Sequence, residues 1–96
     1  MNIQLTEDAV RWFETEMDVE PGETVQFYAR YGGSSPLHEG FSLGIQKSEP
    51  DKIVAKTVIN DVTYYIDEHD AWFFQDHHLL VSLNDDLNEL HFAYEK

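Results

Sequence analysis

The chain has no cysteine, few basic residues and no long apolar run. Without thiols it can form no disulfide and can hold neither an iron–sulfur cluster nor a zinc ion through thiolates. Its core has to stabilise it without covalent help. Six Lys and Arg stand against 19 Asp and Glu, a formal charge of −13. Between Thr57 and Glu95 every full charge is negative. Nucleic-acid binders need clustered Lys and Arg to displace counterions, and anionic membranes select for the same residues. Neither is an expected partner. The longest apolar stretches, Ala71–Phe74 and Leu79–Val81, fall far short of the roughly 20 residues that cross a bilayer. The start, Met1-Asn2-Ile3-Gln4-Leu5-Thr6-Glu7-Asp8, has no basic segment leading into an apolar one, so no signal peptide is read there. Cytoplasmic residence is the expectation.

Hydrophobic residues make up 42% of the 96, and aromatic residues 14%. That supplies one core, and a single domain over residues 1–96 is expected. Thr6 can cap a helix whose first turn carries Glu7 and Asp8, and Val10, Phe13 and Met17 recur at helical spacing. Glu20-Pro21-Gly22-Glu23 breaks it. Thr24–Tyr31 reads as a strand with Val25, Phe27, Ala29 and Tyr31 on one face. Gly32-Gly33-Ser34-Ser35-Pro36 ends that strand and opens a loop to about Gly40. Phe41–Gln46 alternates as a second strand, and Ser48–Lys52 turns the chain. Ile53–Ile59 and Val62–Ile66 form a hairpin around Asn60-Asp61. Asp67 is placed to cap a short helix running to about Gln75, burying Ala71, Phe74 and one face of Trp72. Leu79–Leu83 and Leu90–Tyr94 pair around Asn84-Asp85-Asp86. The fold class is therefore mainly β with two α-helices.

Three segments carry candidate chemistry. The first is the glycine-serine loop, where Gly32, Gly33, Ser34 and Ser35 permit close backbone approach. It lacks the following helix and lysine of a phosphate loop. It reads as an ordinary hairpin loop or as a partner-facing one. The second is the histidine set. Glu68-His69-Asp70 and Asp76-His77-His78 place imidazole beside carboxylate, and His38 could add a ligand from the loop. Such donors suit iron(II), zinc or manganese, so His38, His69, His77 and His78 are candidate metal ligands. No His-x₃-His or His-Glu-x-x-His spacing occurs, and solvated histidines are the simpler reading. The third is Trp72-Phe73-Phe74. One helical turn cannot hide three large rings on one side, so Trp72 and Phe73 are candidate partner anchors. Ser34 or Ser35 with His38 and Glu39 lists the residue types of a catalytic triad, but without a nucleophile elbow. No catalytic residue is assigned, and an enzyme is not expected.

The order of elements, with Ile3–Ala9 opening the first helix, Gly32-Gly33 after a strand, Phe41-Ser42-Leu43 and Val62–Asp67, resembles the HesB/IscA-like family of A-type iron–sulfur carriers. The resemblance implies a compact β-sandwich-like domain. It also exposes a departure. The family's first cysteine position is taken by Ser34, and no Cys-Gly-Cys tail follows the closing strand. No cluster or other cofactor is therefore expected. The resemblance implies a non-catalytic binding or accessory module linked to iron–sulfur biogenesis, with an unidentified protein partner. The alternative is a metal-binding protein that uses imidazole and carboxylate ligands.

Overall fold

A computed structural model describes residues 1–96. Its elements run β1 (Ile3–Leu5), α1 (Glu7–Glu16), β2 (Thr24–Ser34), β3 (Glu39–Lys47), β4 (Ile53–Ile59) and β5 (Val62–Asp67). A 3₁₀ turn (Glu68–Asp70) leads into α2 (Ala71–Phe74), followed by β6 (His78–Asn84) and β7 (Glu89–Glu95). The protein is mainly β with two helices, as the patterning indicated. The strands form a three-stranded sheet, β1-β6-β7, and a four-stranded sheet, β3-β2-β5-β4.

Helix α1 begins where the capping chemistry places it. The Thr6 hydroxyl accepts from the Ala9 amide at 3.3 Å, and Glu7 and Asp8 occupy the positive end of the helix. Ala9, Val10 and Phe13 turn inward. Phe13 meets Tyr64 of β5 and Phe27 of β2 at centroid separations of 5.2 and 6.2 Å. Phe27 in turn meets Phe92 of β7 at 6.3 Å, so both sheets and α1 close on one aromatic core. These edge-on contacts suit ring quadrupoles. Tyr64 is wholly buried, and its hydroxyl has no hydrogen-bond partner.

Two departures from the sequence reading matter for the surface. Strand β2 does not stop at Tyr31; it continues to Ser34 through an irregularity between Tyr31 and Ser34 in its pairing with β3. Gly32 and Gly33 sit at φ +112° and +68°, so the glycines make a bulge rather than a strand end. The loop shrinks to Ser35–His38, closed by Ser35 N–H donating to His38 O at 2.8 Å and by the reverse bond at 3.3 Å. The second departure is Asp67. Its side chain caps no helix. It accepts instead from the Asp51 and Lys52 amides, both at 3.2 Å, and fastens the β3–β4 turn. The Tyr65 hydroxyl donates to Ser48 O from below the same turn, at 2.8 Å. The Asn60-Asp61 hairpin forms as read, with φ +53° and +64°.

Candidate docking surface

The β2–β5 pairing is parallel and ends at Gln26–Tyr65. Beyond it, β2 has no strand neighbour on that side. Asp70, at the end of the 3₁₀ turn, takes the neighbour's place: Oδ1 accepts from the Ala29 amide and Oδ2 from Gln26 Nε2, each at 3.2 Å. Gln26 Oε1 accepts from Gln46 Nε2 at 2.9 Å, which extends the relay to β3. A buried carboxylate is tolerated because both its oxygens have donors. This anchor fixes the turn that leads into α2.

With the turn fixed, α2 buries Phe73 and Phe74 completely and leaves Trp72 about half exposed. Phe73 and Phe74 pack on Tyr94 of β7, at centroid separations of 6.1 and 6.3 Å. The β2–β3 hairpin reaches across to α2. His38 Nε2 lies 3.1 Å from the Phe73 carbonyl, which can only accept, so that ring nitrogen carries the proton. The His38 ring also meets Trp72 and Phe73, each at 5.2 Å. Phe41 touches Trp72 at 5.2 Å and Tyr31 at 5.6 Å. Tyr31 is 86% exposed. The result is a row of rings, Tyr31-Phe41-Trp72-His38, supplied by two strands, a turn and a helix. Phe41, Trp72 and His38 support one another, and Tyr31 leans on Phe41 at the exposed end of the row.

A separate cleft of about 460 Å³ opens on the other face of β2 and β3, among Gln26, Tyr28 and Gln46, whose side chains alternate with those of the ring row. Glu49, Asp51, Asp67 and Asp70 line it with Tyr28 and His69, and no lysine or arginine does. Lys52, next to Asp51, is paired with Glu68 at 3.0 Å.

The two segments singled out for partner contact are thus joined, through His38 rather than through the glycines. Gly32 and Gly33 shape the bulge. Ser34 and Ser35 border a separate shallow groove of about 260 Å³ against Phe92 and Tyr94 of β7. Phe73 lies in the core and supports Trp72 from beneath. Tyr31 and Phe41 were missed: alternation put Tyr31 on the core face of β2, but the core ends before the strand does.

The histidines do not assemble. His77 Nδ1 lies 2.9 Å from the Phe74 carbonyl, satisfying the end of α2. His78 Nδ1 accepts from the Asn2 amide at 2.9 Å. His69 is exposed beside Asp70, and His38 is committed to α2. No group of three or more His, Asp or Glu side chains is placed to hold a metal ion. The metal-binding alternative is corrected accordingly: each imidazole ends beside a different local partner. No helix is long and apolar enough to cross a membrane.

Comparison with known proteins gives full-length relatives. The Bacillus subtilis (strain 168) pyruvate dehydrogenase inhibitor is 41% identical over 95 residues, covering 99% of this chain and all of that protein. The chain belongs to the family of that inhibitor. Uncharacterized proteins of Staphylococcus haemolyticus and Staphylococcus saprophyticus are 38% and 36% identical, covering 100% and 97% of the chain and 98% of each relative. No protein-family model and no solved structure matches the chain. These findings overturn the resemblance to the HesB/IscA-like family and the link to iron–sulfur biogenesis that it implied. The short motifs behind that resemblance have local explanations: Gly32-Gly33 makes a bulge, and Val62–Asp67 is a buried strand closed by an aspartate that holds a turn. Such devices recur wherever a strand meets a hairpin or a loop.

Proposed function

We propose that this protein is a non-catalytic regulator that binds pyruvate dehydrogenase and lowers its activity. The observation that carries the reading is the 41% identity, end to end, with a protein named as an inhibitor of that enzyme. At that identity, with both chains covered, the same fold and much of the same surface are expected. An inhibitor of this size needs a recognition surface rather than a reaction centre. The row of Tyr31, Phe41, Trp72 and His38 suits that role, since exposed and well-supported Tyr and Trp rings dominate interface energetics. Covering the exposed parts of Tyr31 and Trp72 would remove on the order of 200 Å² from water, worth roughly 5 kcal/mol before the costs of association.

The experiment is direct. Purified chain is titrated into pyruvate dehydrogenase and turnover is followed at fixed substrate. A saturable fall in rate is expected, together with co-elution of the two proteins on size exclusion. Unchanged turnover and separate elution at a large molar excess of the chain would refute the proposal.

A further inference from the structure

We infer that two copies of this chain pair through the free edge of β3, antiparallel about a twofold axis at Leu43, so that their four-stranded sheets join into one continuous sheet. This pairing is independent of the inhibitory role proposed above.

The two sheets leave four strand edges, β1 and β7 on one and β3 and β4 on the other. An edge presents backbone N–H and C=O groups without a partner strand, and soluble proteins guard such edges against copies of themselves. Three of the four are guarded here. Strand β1 is only three residues long. Strand β4 carries Lys56 at its centre and an irregularity between Ile53 and Ala55. Symmetric pairing of the whole strand would set Lys56 against Lys56 of the second copy. Strand β7 begins with Glu89 and ends with Glu95, and the same pairing would set these two against each other. Strand β3 has none of these devices. From Phe41 to Gln46 it holds neither a charge nor a proline.

Set antiparallel to itself about Leu43, β3 is complementary. Its first residue, Glu39, comes opposite its last, Lys47, at both ends of the pair, and Phe41 comes opposite Ile45. Leu43 meets Leu43 on the axis. Any other antiparallel register separates Glu39 from Lys47, so the charged ends select this one. Lys47 lies 3.2 Å from Glu23 and donates to Asp18 O at 3.2 Å, contacts that hold its ammonium group at the strand end. The apolar residues point the same way. Phe41, Leu43 and Ile45 pack against the core yet are only partly buried, whereas Phe27, opposite Ile45 on β2, is wholly buried. What the three lack is a neighbour on the free side of β3, and the strand of a second copy supplies one. The formal charge of −13 on each copy opposes association, so the dimer is weak at low salt and tightens as salt screens the repulsion.

The test is sedimentation equilibrium of the full chain between about 10 µM and about 1 mM, where a reversible monomer–dimer equilibrium is expected. Glu39→Lys and Lys47→Glu should each weaken the dimer about tenfold by setting like charges opposite one another, and the double variant should restore it. Glu39→Lys also lowers the net negative charge, so a weaker dimer in that variant cannot come from general repulsion. Restoration in the double variant separates a contact between copies from a structural loss, because Glu39→Lys does nothing for the Lys47–Glu23 contact within one chain. Glu39 is exposed, and thermal melts of dilute protein check that each variant folds. Val58→Ser, exposed on β4, should leave the equilibrium unchanged. Hydrogen exchange should show β3 amides slowing as the concentration rises, with β4 and β7 unaffected. A chain that stays monomeric throughout would overturn the pairing. So would single variants that dimerise as well as the wild type, a double variant no better than the singles, or concentration-dependent protection of β4 or β7 in place of β3.

Discussion

The anchor at Asp70 can be tested by separating its charge from its acceptor geometry. In Asp70→Ala, the Ala29 amide and Gln26 Nε2 both lose their acceptor at a largely buried strand edge. A buried donor left unpaired costs about 1–3 kcal/mol, so two cost about 3 kcal/mol after partial relaxation. For a domain of this size each kcal/mol moves the melting midpoint by about 4–8 °C, which gives a fall of about 12–24 °C. Asp70→Asn behaves differently. Its amide oxygen can still serve Ala29, which sets its NH₂ against the Gln26 NH₂. That conflict is relieved if Gln26 turns over, because its carbonyl then accepts from Asn at position 70 and its NH₂ faces Gln46. Gln46 is exposed and can turn in step at little cost. The relay simply reverses direction. The remaining loss is the difference between a charged and a neutral acceptor, about 1 kcal/mol, offset in part by no longer burying a charge. The expected order of stability is wild type, then Asn within about 8 °C, then Ala well below. Thermal and urea unfolding followed by circular dichroism measure it. An Asn variant as unstable as the Ala variant would show that the negative charge, not the reversible relay, holds the turn, and would refute this reasoning. The same variants report on the surface, since a loosened turn should also blunt Trp72-dependent binding.

Other perturbations address other parts of the fold. A Cβ at Gly44 would run into the Tyr28 ring, so Gly44→Ala should cost about 1–2 kcal/mol by urea denaturation and cost nothing in a Tyr28→Ala background; equal cost in both would show that the ring is not the obstacle. Asp61 holds φ +64° in the β4–β5 turn, and Asp61→Gly should stabilise by about 1 kcal/mol, whereas a loss of stability would point to a side-chain role at that turn. Tyr64→Phe removes a buried hydroxyl that has no partner and should leave stability unchanged or raised by about 1 kcal/mol; a marked loss would reveal a hydrogen bond made in solution. Burial pushes Tyr64, with the Glu14 charge adding to the effect, and Tyr94 up to about 12. Because the native state favours the neutral phenols, their contribution to stability is complete below the ordinary tyrosine value near 10 and is lost as pH rises from there toward 12. Phenolate absorbance should show these groups ionising late or together with unfolding, and ionisation of all tyrosines near 10 in a folded protein would contradict the burial.

The parts of the fold that could be read in advance are those governed by local rules. Thr6 caps α1 with its own hydroxyl, Asn60 and Asp61 adopt the left-handed backbone that a two-residue turn demands, and the β6–β7 pairing follows from alternation. Strand β1 was not legible. Ile3–Leu5 is too short to show a period, and it becomes a strand only because β6, far along the chain, supplies a parallel partner. Asp67 was misjudged for a related reason. An aspartate before a short helix has the local signature of a cap, whereas here it was recruited by the turn at Asp51, and Asp70, not read as an anchor at all, was recruited by the open edge of β2.

The candidate docking surface was legible only in part, for the same physical reason. Trp72 stood out because three consecutive rings exceed what one helical turn can hide, a strictly local argument that the exposure of Trp72 bears out. Tyr31 looked like core because alternation records which side of a strand a residue takes, not whether anything faces it there. Its exposure follows from the length of the β2–β3 hairpin relative to the sheet behind it. His38 looked like a metal ligand because imidazole chemistry is versatile, and only the approach of the hairpin to α2 turns it into a donor to the Phe73 carbonyl. Glycines, serines and histidines carry meanings that depend on their neighbours in space. A long-range assembly of four rings therefore leaves almost no trace in the order of residues, and short motifs resembling another family can arise without its chemistry.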